Sequence, residues 1–330
     1  MFLGRCILLG LACWVLSSSR LVIAPKVEFH RYEFRHPQMG TVFRLVFYTE
    51  KDSLQAALIA RKAFDVVDSL NASMSDYLPE SELSRLGNTA GSGQAVKVSD
   101  DLWQVLRWSK DFSRKTHGAF DVTVGPLTRL WRRARNLKEL PDSMRVKEAL
   151  ELVGFQHLKV KPNKTVELKK NGMRLDLGGI AQGYAADRCL EILRKNGIHS
   201  ALADAGGDIA LGDAPPGEIG WIIEIPNHNP EDTQNSPDTL RLSNCGITTS
   251  GATFRYLEVE GKRYSHIVDP RTGWGLTHRV LVTVQAHTAT EADAWATAIS
   301  VLGQAGWQKL KPKQAQLKVW LTEMPLTVDR

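Results

Sequence analysis

Three stretches of this chain bring together side chains whose types and spacing could do chemistry. In "EADAWATAISVLG", Asp293 and Thr297 stand one helical turn apart, so both side chains share a face. A carboxylate with a hydroxyl is a pair of hard oxygen ligands and suits Mg2+. The pair also has an ordinary reading. Asp293 would sit at N3 behind a Thr290 N-cap, and Thr297 would bond back to a carbonyl of the preceding turn. In "LDLGGIAQGYAADR", Gly178, Gly179 and Gly183 stand at a strand-to-helix turn. Glycines there let backbone amides approach an anion, which the helix N-terminus favours. The spacing differs from the dinucleotide fingerprint, and a plain tight turn would use the same residues. In "RYSHIVDPRTGWG", His266 ends a strand that runs into a turn shaped by Asp269, Pro270, Thr272 and Gly273. An imidazole there is a candidate general base near neutral pH; alternatively it hydrogen-bonds to backbone.

Two loops add to the set. "SMSDYLPESELSRLG" puts Tyr77 in a polar loop before a helix, where its ring could stack on a flat ligand or cover the core. "THGAFDVTVGPL" puts Phe120 and Asp121 just past a helix stop, with Asp121 a candidate cap.

The elements that must position these residues are legible as patterns. "GTVFRLVFYTE" alternates, with Phe43, Leu45 and Phe47 on one face, and predicts a strand. "DSLQAALIARKAFDVVDSL" has helical spacing behind a cap at Asp52 or Ser53. "SDDLWQVLRWSKDFSRKTHG" predicts a helix capped near Ser99 and stopped at Gly118. "GMRLDLGGIAQGYAADRCLEILRKNGI" reads as strand, glycine turn and helix, ending at Gly197. "ALADAGGDIALGD", "GWIIEIPN" and "HRVLVTVQAH" read as strands. There is no steady βαβ rhythm, which favours an α+β fold over a doubly wound one.

Composition is that of a globular protein, with 43% hydrophobic and 24% charged residues in 330. The net charge of +6 is spread out, apart from "RLWRRARNLK", which reads as a solvated helix face or a site for an anionic ligand. Zinc-finger spacing and RNA-binding aromatic motifs are both missing, so no nucleic-acid partner is expected. Residues 1–20 read as a leader: Arg5 precedes an apolar run from Cys6 to Leu16, followed by small polar residues. Cleavage after Ser19, a lipid anchor at Cys13 in "GLAC", or an uncleaved anchor all imply export. Residues 21–330 would then form the catalytic domain. Its cysteines, Cys189 and Cys245, show no metal spacing, and a single disulfide between them stays open.

The order of these segments is more informative than any one of them. "MGTVFRL", "MSDYLPESELSRL", "GAFDVTVGPL", "LDLGGIAQGYAADR", "DAGGDI", "RYSHIVDPRTG" and "EADAWATAISVLG" together resemble the FAD:protein FMN transferase family, the ApbE-type flavin transferases. The resemblance runs from about Met39 to Gly303. It implies an α+β fold of mixed, largely antiparallel sheets with packed helices, T-fold-like, that binds FAD in a cleft. It implies Mg2+-dependent transfer of FMN from FAD to a Thr or Ser hydroxyl of an acceptor protein, with release of AMP. Exported members carry a signal peptide or lipid anchor, so the resemblance implies the periplasmic side of the inner membrane. Carried over residue by residue, the metal ligands would be the Asp293 and Thr297 side chains and the Gly179 carbonyl. FAD contacts would be Met39, Tyr77, Ala119, Phe120, Asp121, Asp176, Gln182, His266 and Ile267, with Gly207 and Asp208 close by. His266 would take the proton from the attacking hydroxyl.

Some positions depart from the family pattern. Gln182 stands where many members have Lys, so a positive charge near the phosphates is missing. Gly87-Asn88 stands where Asn directly follows the "SRL" run. "SGAT", Ser250 to Thr253, resembles an acceptor motif but lies within the enzyme body; it reads as coincidence or as a self-modification site at Thr253. Two other functions use the same residues. A hydrolase would let water cut FAD into FMN and AMP, and a flavin-storage protein would bind FAD without turnover. Storage needs neither a metal pair nor a base.

Overall fold

Period-two and helical patterns alternate along the chain and set its elements. A computed structural model describes residues 28–225, 237–251, 256–311, 314 and 316–324. The leader with Cys13, and Thr253 of the "SGAT" run, lie outside these residues. The first elements are β1 (His30–Gln38), β2 (Thr41–Thr49), α1 (Ser53–Met74), α2 (Glu82–Asn88), β3 (Val96–Lys97), α3 (Asp100–Lys115), α4 (Gly125–Leu137) and α5 (Ser143–Glu151). Next come β4 (Leu158–Val160), β5 (Thr165–Leu168), α6 (Ala181–Lys195), β6 (Ala201–Ala205), β7 (Asp208–Leu211), β8 (Trp221–Ile225) and β9 (Asp238–Leu242). Last are β10 (Cys245–Gly251), β11 (Tyr256–Val259), β12 (Lys262–Ser265), β13 (Arg279–Ala286), α7 (Ala289–Leu310) and β14 (Lys318–Met324).

One sheet organises the molecule, in the order β1-β2-β6-β7-β10-β13-β14, every neighbouring pair antiparallel. In β2, Phe43, Leu45 and Phe47 are fully buried on one face, as the alternation predicts. They join the main core with α1, α6 and α7. Val46 points the other way, into a smaller cluster with Leu202, Leu211, Trp221, Ile223 and Ile247 under the β8–β9 hairpin. A third cluster, with Leu127, Trp131, Tyr264 and Val268, joins α4 and α5 to the β11–β12 hairpin. The α+β expectation holds.

The caps expected at Asp52 and Ser99 are present: their side chains accept from the N–H groups of Gln55 and Leu102. Three local expectations need correction. Met173 to Leu177 is not a ladder strand. Its alternation is real, since Met173, Leu175 and Leu177 are buried. Its backbone, however, makes only an isolated bridge from Arg174 to Val124 and an Asp176 N–H bond to the Val122 carbonyl. Asp121 does not cap α4, which starts at Gly125 with no side-chain cap and a proline in its first turn. α7 is capped by Thr288, not Thr290. Thr288 has the extended backbone a cap needs and accepts from Glu291 N–H at 3.1 Å. Asp293 therefore lies a full turn into the helix, beyond the reach of cap chemistry. Cys189 and Cys245 are both free thiols, so no disulfide links them.

Candidate active site

The start of α7 is seated closely on α6. Asp187 of α6 accepts from Ala289 N–H at 3.0 Å, from Thr290 N–H at 2.9 Å and from the Thr290 hydroxyl at 2.5 Å. A carboxylate there satisfies orphan donors and suits the positive end of the helix. Beside it, a Cβ built on Gly183 would lie 2.4 Å from the Ala289 carbonyl oxygen and 2.9 Å from the Asp293 Cβ. Gly246 of β10 is equally tight, with a built Cβ 2.1 Å from Thr288 backbone. Glycine is required at both places because backbone meets backbone.

Gly183→Ala therefore sets two effects against each other. Ala gains roughly 1 kcal/mol of helix propensity over Gly, but overpacking a tight contact costs about 1–3 kcal/mol or more. The obstacle is main chain, so the clash is expected to win and the melting temperature to fall by several degrees. Thermal melts followed by circular dichroism check this; a rise in melting temperature would mean that the helices are not in such close contact.

This seating brings the glycine turn onto Asp293 and Thr297. The Gly183 N–H donates to Asp293 Oδ2 at 3.2 Å, and a Cβ on Gly179 would lie 2.7 Å from Thr297 Oγ1. Asp293 is buried and Thr297 half-buried. Burial, with the charge of Asp208 adding, holds the Asp293 carboxyl well above the ordinary carboxylate range. Asp208, at the start of β7, is also buried. Its carboxyl is pushed up to about 7 by burial, with Asp204 adding a smaller push. Two carboxyls are thus buried here, and the charge of Asp208 raises that of Asp293, an arrangement that a cation would relieve. Among the described residues no group of three or more His, Cys, Asp and Glu side chains could hold a metal alone. The donors are thus carboxylate, hydroxyl and the backbone of the glycine turn. That set fits Mg2+, which binds through one or two carboxylates and takes further oxygens from a phosphate-bearing ligand.

Three walls carry the remaining residues singled out in the sequence. The first is made of turns. Gln182 Nε2 donates to the Met39 carbonyl at 3.2 Å, tying α6 to the β1–β2 turn, where Met39 and Gly40 have φ of 53° and 75°. The β6–β7 turn packs on the same place: a Cβ on Gly206 would lie 2.0 Å from Thr41 Oγ1. The Gly207 N–H is held by Asp204 at 2.9 Å.

The second wall carries His266. It is half-buried in the bend after β12. The bend is braced on both sides, by Ser265 N–H to the Leu276 carbonyl and Leu276 N–H to the Ile267 carbonyl. Asp269 then closes the turn, accepting from Arg271 main chain and side chain, and Trp131 Nε1 donates to the Gly273 carbonyl at 2.9 Å. The turn reading of this stretch holds. Ile267 packs with Ala119, Leu276 and Val301, so α7 and the 119–121 run meet here. Ala119 and Phe120 are buried, and Asp121 accepts from Thr123 N–H, the Thr123 hydroxyl and Phe155 N–H. These three side chains are committed internally, so any ligand contact from them is through backbone.

The third wall was only half legible. Tyr77 is 72% exposed, and Asp176 accepts from Gly178 N–H at 2.8 Å. Between them lies Arg132 of α4, bonded to both Asp76 and Asp176. Nothing in "RLWRRARNLK" distinguishes Arg132 from its neighbours except its place beside the buried Trp131. A cleft of about 500 Å3 opens next to the 269–273 turn, lined by Tyr264, Trp274, Leu276, His278 and Val301 among others. Neither the glycine turn nor Asp293 lines it.

Comparison with known proteins converges on one family. The family model described as the ApbE family matches residues 39–321. A "FAD:protein FMN transferase" of Klebsiella pneumoniae (strain 342) is 33% identical over 287 residues, covering 84% of this chain and 80% of that protein. One of Treponema pallidum (strain Nichols) is 32% identical over 281 residues, covering 80% and 77%. Among solved structures, the flavin transferase ApbE from Vibrio cholerae superposes with a TM-score of 0.79 at 26% identity, covering 90% of this chain and 97% of that one. The ApbE protein of Thermotoga maritima gives a TM-score of 0.79 at 29% identity, covering 89% and 94%.

Proposed function

The chain belongs to the ApbE family, and on that premise we propose that it is an FAD:protein FMN transferase. It moves FMN from FAD onto a Thr or Ser hydroxyl of an acceptor protein and releases AMP. The observation that carries this reading is the convergence of the Gly179–Gly183 backbone with Asp293 and Thr297. That convergence is a hard-oxygen site at the start of a helix, suited to a cation and a pyrophosphate together.

In the reaction, a P–O bond forms between the acceptor hydroxyl and the FMN phosphorus, and the P–O bond to AMP breaks. Asp293, Thr297 and the Gly179 carbonyl would hold Mg2+, which when bound neutralises charge on the phosphoryl oxygens and the departing AMP. The amides of the glycine turn orient the pyrophosphate. His266, on its braced bend, takes the hydroxyl proton as the new bond forms. Gln182 contributes a hydrogen bond but no charge to the anion. Export to the periplasmic side of the inner membrane, by cleavage or through a lipid anchor at Cys13, is part of the proposal; it is supported by the leader-like residues 1–20.

The decisive experiment incubates the full chain with FAD, Mg2+ and a candidate acceptor. A fluorescent acceptor band in the gel, with stoichiometric AMP, is expected. AMP without a band would mean water is the acceptor and the protein a hydrolase. Bound FAD with neither product would overturn both enzymatic readings.

A further inference from the structure

The arginines of α4 have separate fates. Arg129 and Arg133 are exposed. Arg132 is not: its side chain is 22% exposed, wedged between the carboxylates of Asp76 and Asp176, themselves 15% and 10% exposed. One guanidinium nitrogen donates to Asp76 and another to Asp176 Oδ2 at 2.7 Å. A planar fork can serve two carboxylates at once, which an ammonium cannot do with the same rigidity. Both terminal nitrogens are paired to carboxylates, so its charge is matched within the protein and for this residue the anion-site reading of the cluster loses its force.

Its third contact is with an aromatic ring. The guanidinium carbon lies 4.2 Å from the centroid of Tyr77. That ring is 72% exposed and belongs to no hydrophobic cluster among the described residues. A cation against one face holds it, while the exposed remainder stays available. Asp76, next to Tyr77 in the chain, is fixed by the same guanidinium. Asp176 passes the contact on, through its other oxygen, to Gly178 of the glycine turn. One side chain therefore couples an exposed aromatic ring to the backbone that would face the pyrophosphate. Without the cation, Asp76 and Asp176 would repel, and burial and mutual charge already hold the Asp76 carboxyl above the ordinary range.

We propose that Arg132 is a positioning residue for FAD: it holds the Tyr77 ring as a stacking platform for one of the two flat ring systems of the dinucleotide and keeps Asp176 on the glycine turn. This rests on the flavin transferase reading. It separates binding from chemistry, because Arg132 reaches the ligand only through Tyr77 and Asp176.

The test uses the full chain with Mg2+ and measures FAD affinity by flavin fluorescence quenching, alongside kcat and KM. Arg132→Gln is expected to raise Kd and KM for FAD roughly tenfold, the size of one lost ring-stacking contact, with kcat within about threefold. Tyr77→Ala is expected to give a similar loss. The double variant is expected to be no worse than the worse single one, because both remove the same platform. Arg132→Lys keeps the charge but not the fork and is expected to keep most of the loss; it also serves if Arg132→Gln folds poorly. FMN and AMP as separate competitors show which ring system uses the platform. Multiplying losses in the double variant, full affinity in Arg132→Lys, or a fall in kcat at unchanged Kd would each overturn the assignment. If the wild-type chain does not bind FAD, the transferase reading itself fails, and this role with it. If the wild type binds and the variants bind equally, only the role of Arg132 fails.

Discussion

Asp293→Asn is expected to cut Mg2+-dependent FMN transfer by roughly 10²–10³-fold or more, the scale of removing one preorganised charge contact from a site. The amide keeps the shape and still accepts from the Gly183 N–H, so the seating of α6 on α7 survives. What it lacks is the charge that draws a divalent cation into a buried position. A control separates this from misfolding. In the metal-free chain, Asp208 has a folded pKa of about 7, raised by burial above the ordinary carboxylate value. Raised carboxyls bind protons that the unfolded chain releases. Their stabilising contribution is full below the unfolded value and is lost as pH rises through the folded one. The metal-free melting temperature is thus expected to fall from about pH 4 up through about pH 7, and Mg2+ to recover it above that range. Asp293→Asn removes one of two repelling charges. Its melting temperature in chelator should fall less steeply with pH, while the Mg2+ response disappears. Unchanged turnover with an unchanged Mg2+ requirement would refute the metal assignment.

His266→Ala is expected to lower kcat by about 10²–10⁴-fold, the contribution of a positioned general base, a larger effect than the loss of its contact with FAD has on affinity. The residue sits half-buried in a bend that main-chain bonds from Ser265, Ile267 and Leu276 already brace. Truncation therefore leaves the backbone course intact, and the melting temperature is expected to move by only a few degrees. Single-turnover transfer at saturating FAD isolates the chemical step, and added imidazole should restore part of it. A kcat equal to wild type would remove His266 from the proton transfer and leave it a structural element of the hairpin.

Much of this architecture was readable one segment at a time. The caps at Asp52 and Ser99, the buried face of β2 and the turn after His266 follow from preferences that act within about four residues. The ordered set of motifs likewise points to the family. Local pattern and fold part where two local solutions are nearly equal. Thr288 and Thr290 are both cap residues, and the choice went to the one whose backbone is extended, because Asp187 from another helix takes the Thr290 hydroxyl. The 173–177 run alternates as a strand does, yet no neighbouring strand offers a ladder to it, so it stays an extended segment.

Most elements, the turn chemistry and the inventory of oxygen ligands follow from neighbours along the chain. Which of them meet is set by how the elements pack. Gly183 touches Asp293 across 110 positions, and Arg132 bridges Asp76 and Asp176 across 56 and 44. Such contacts are decided by how closely two backbones pack and by where a buried charge finds its partner, and neither leaves a period in the sequence.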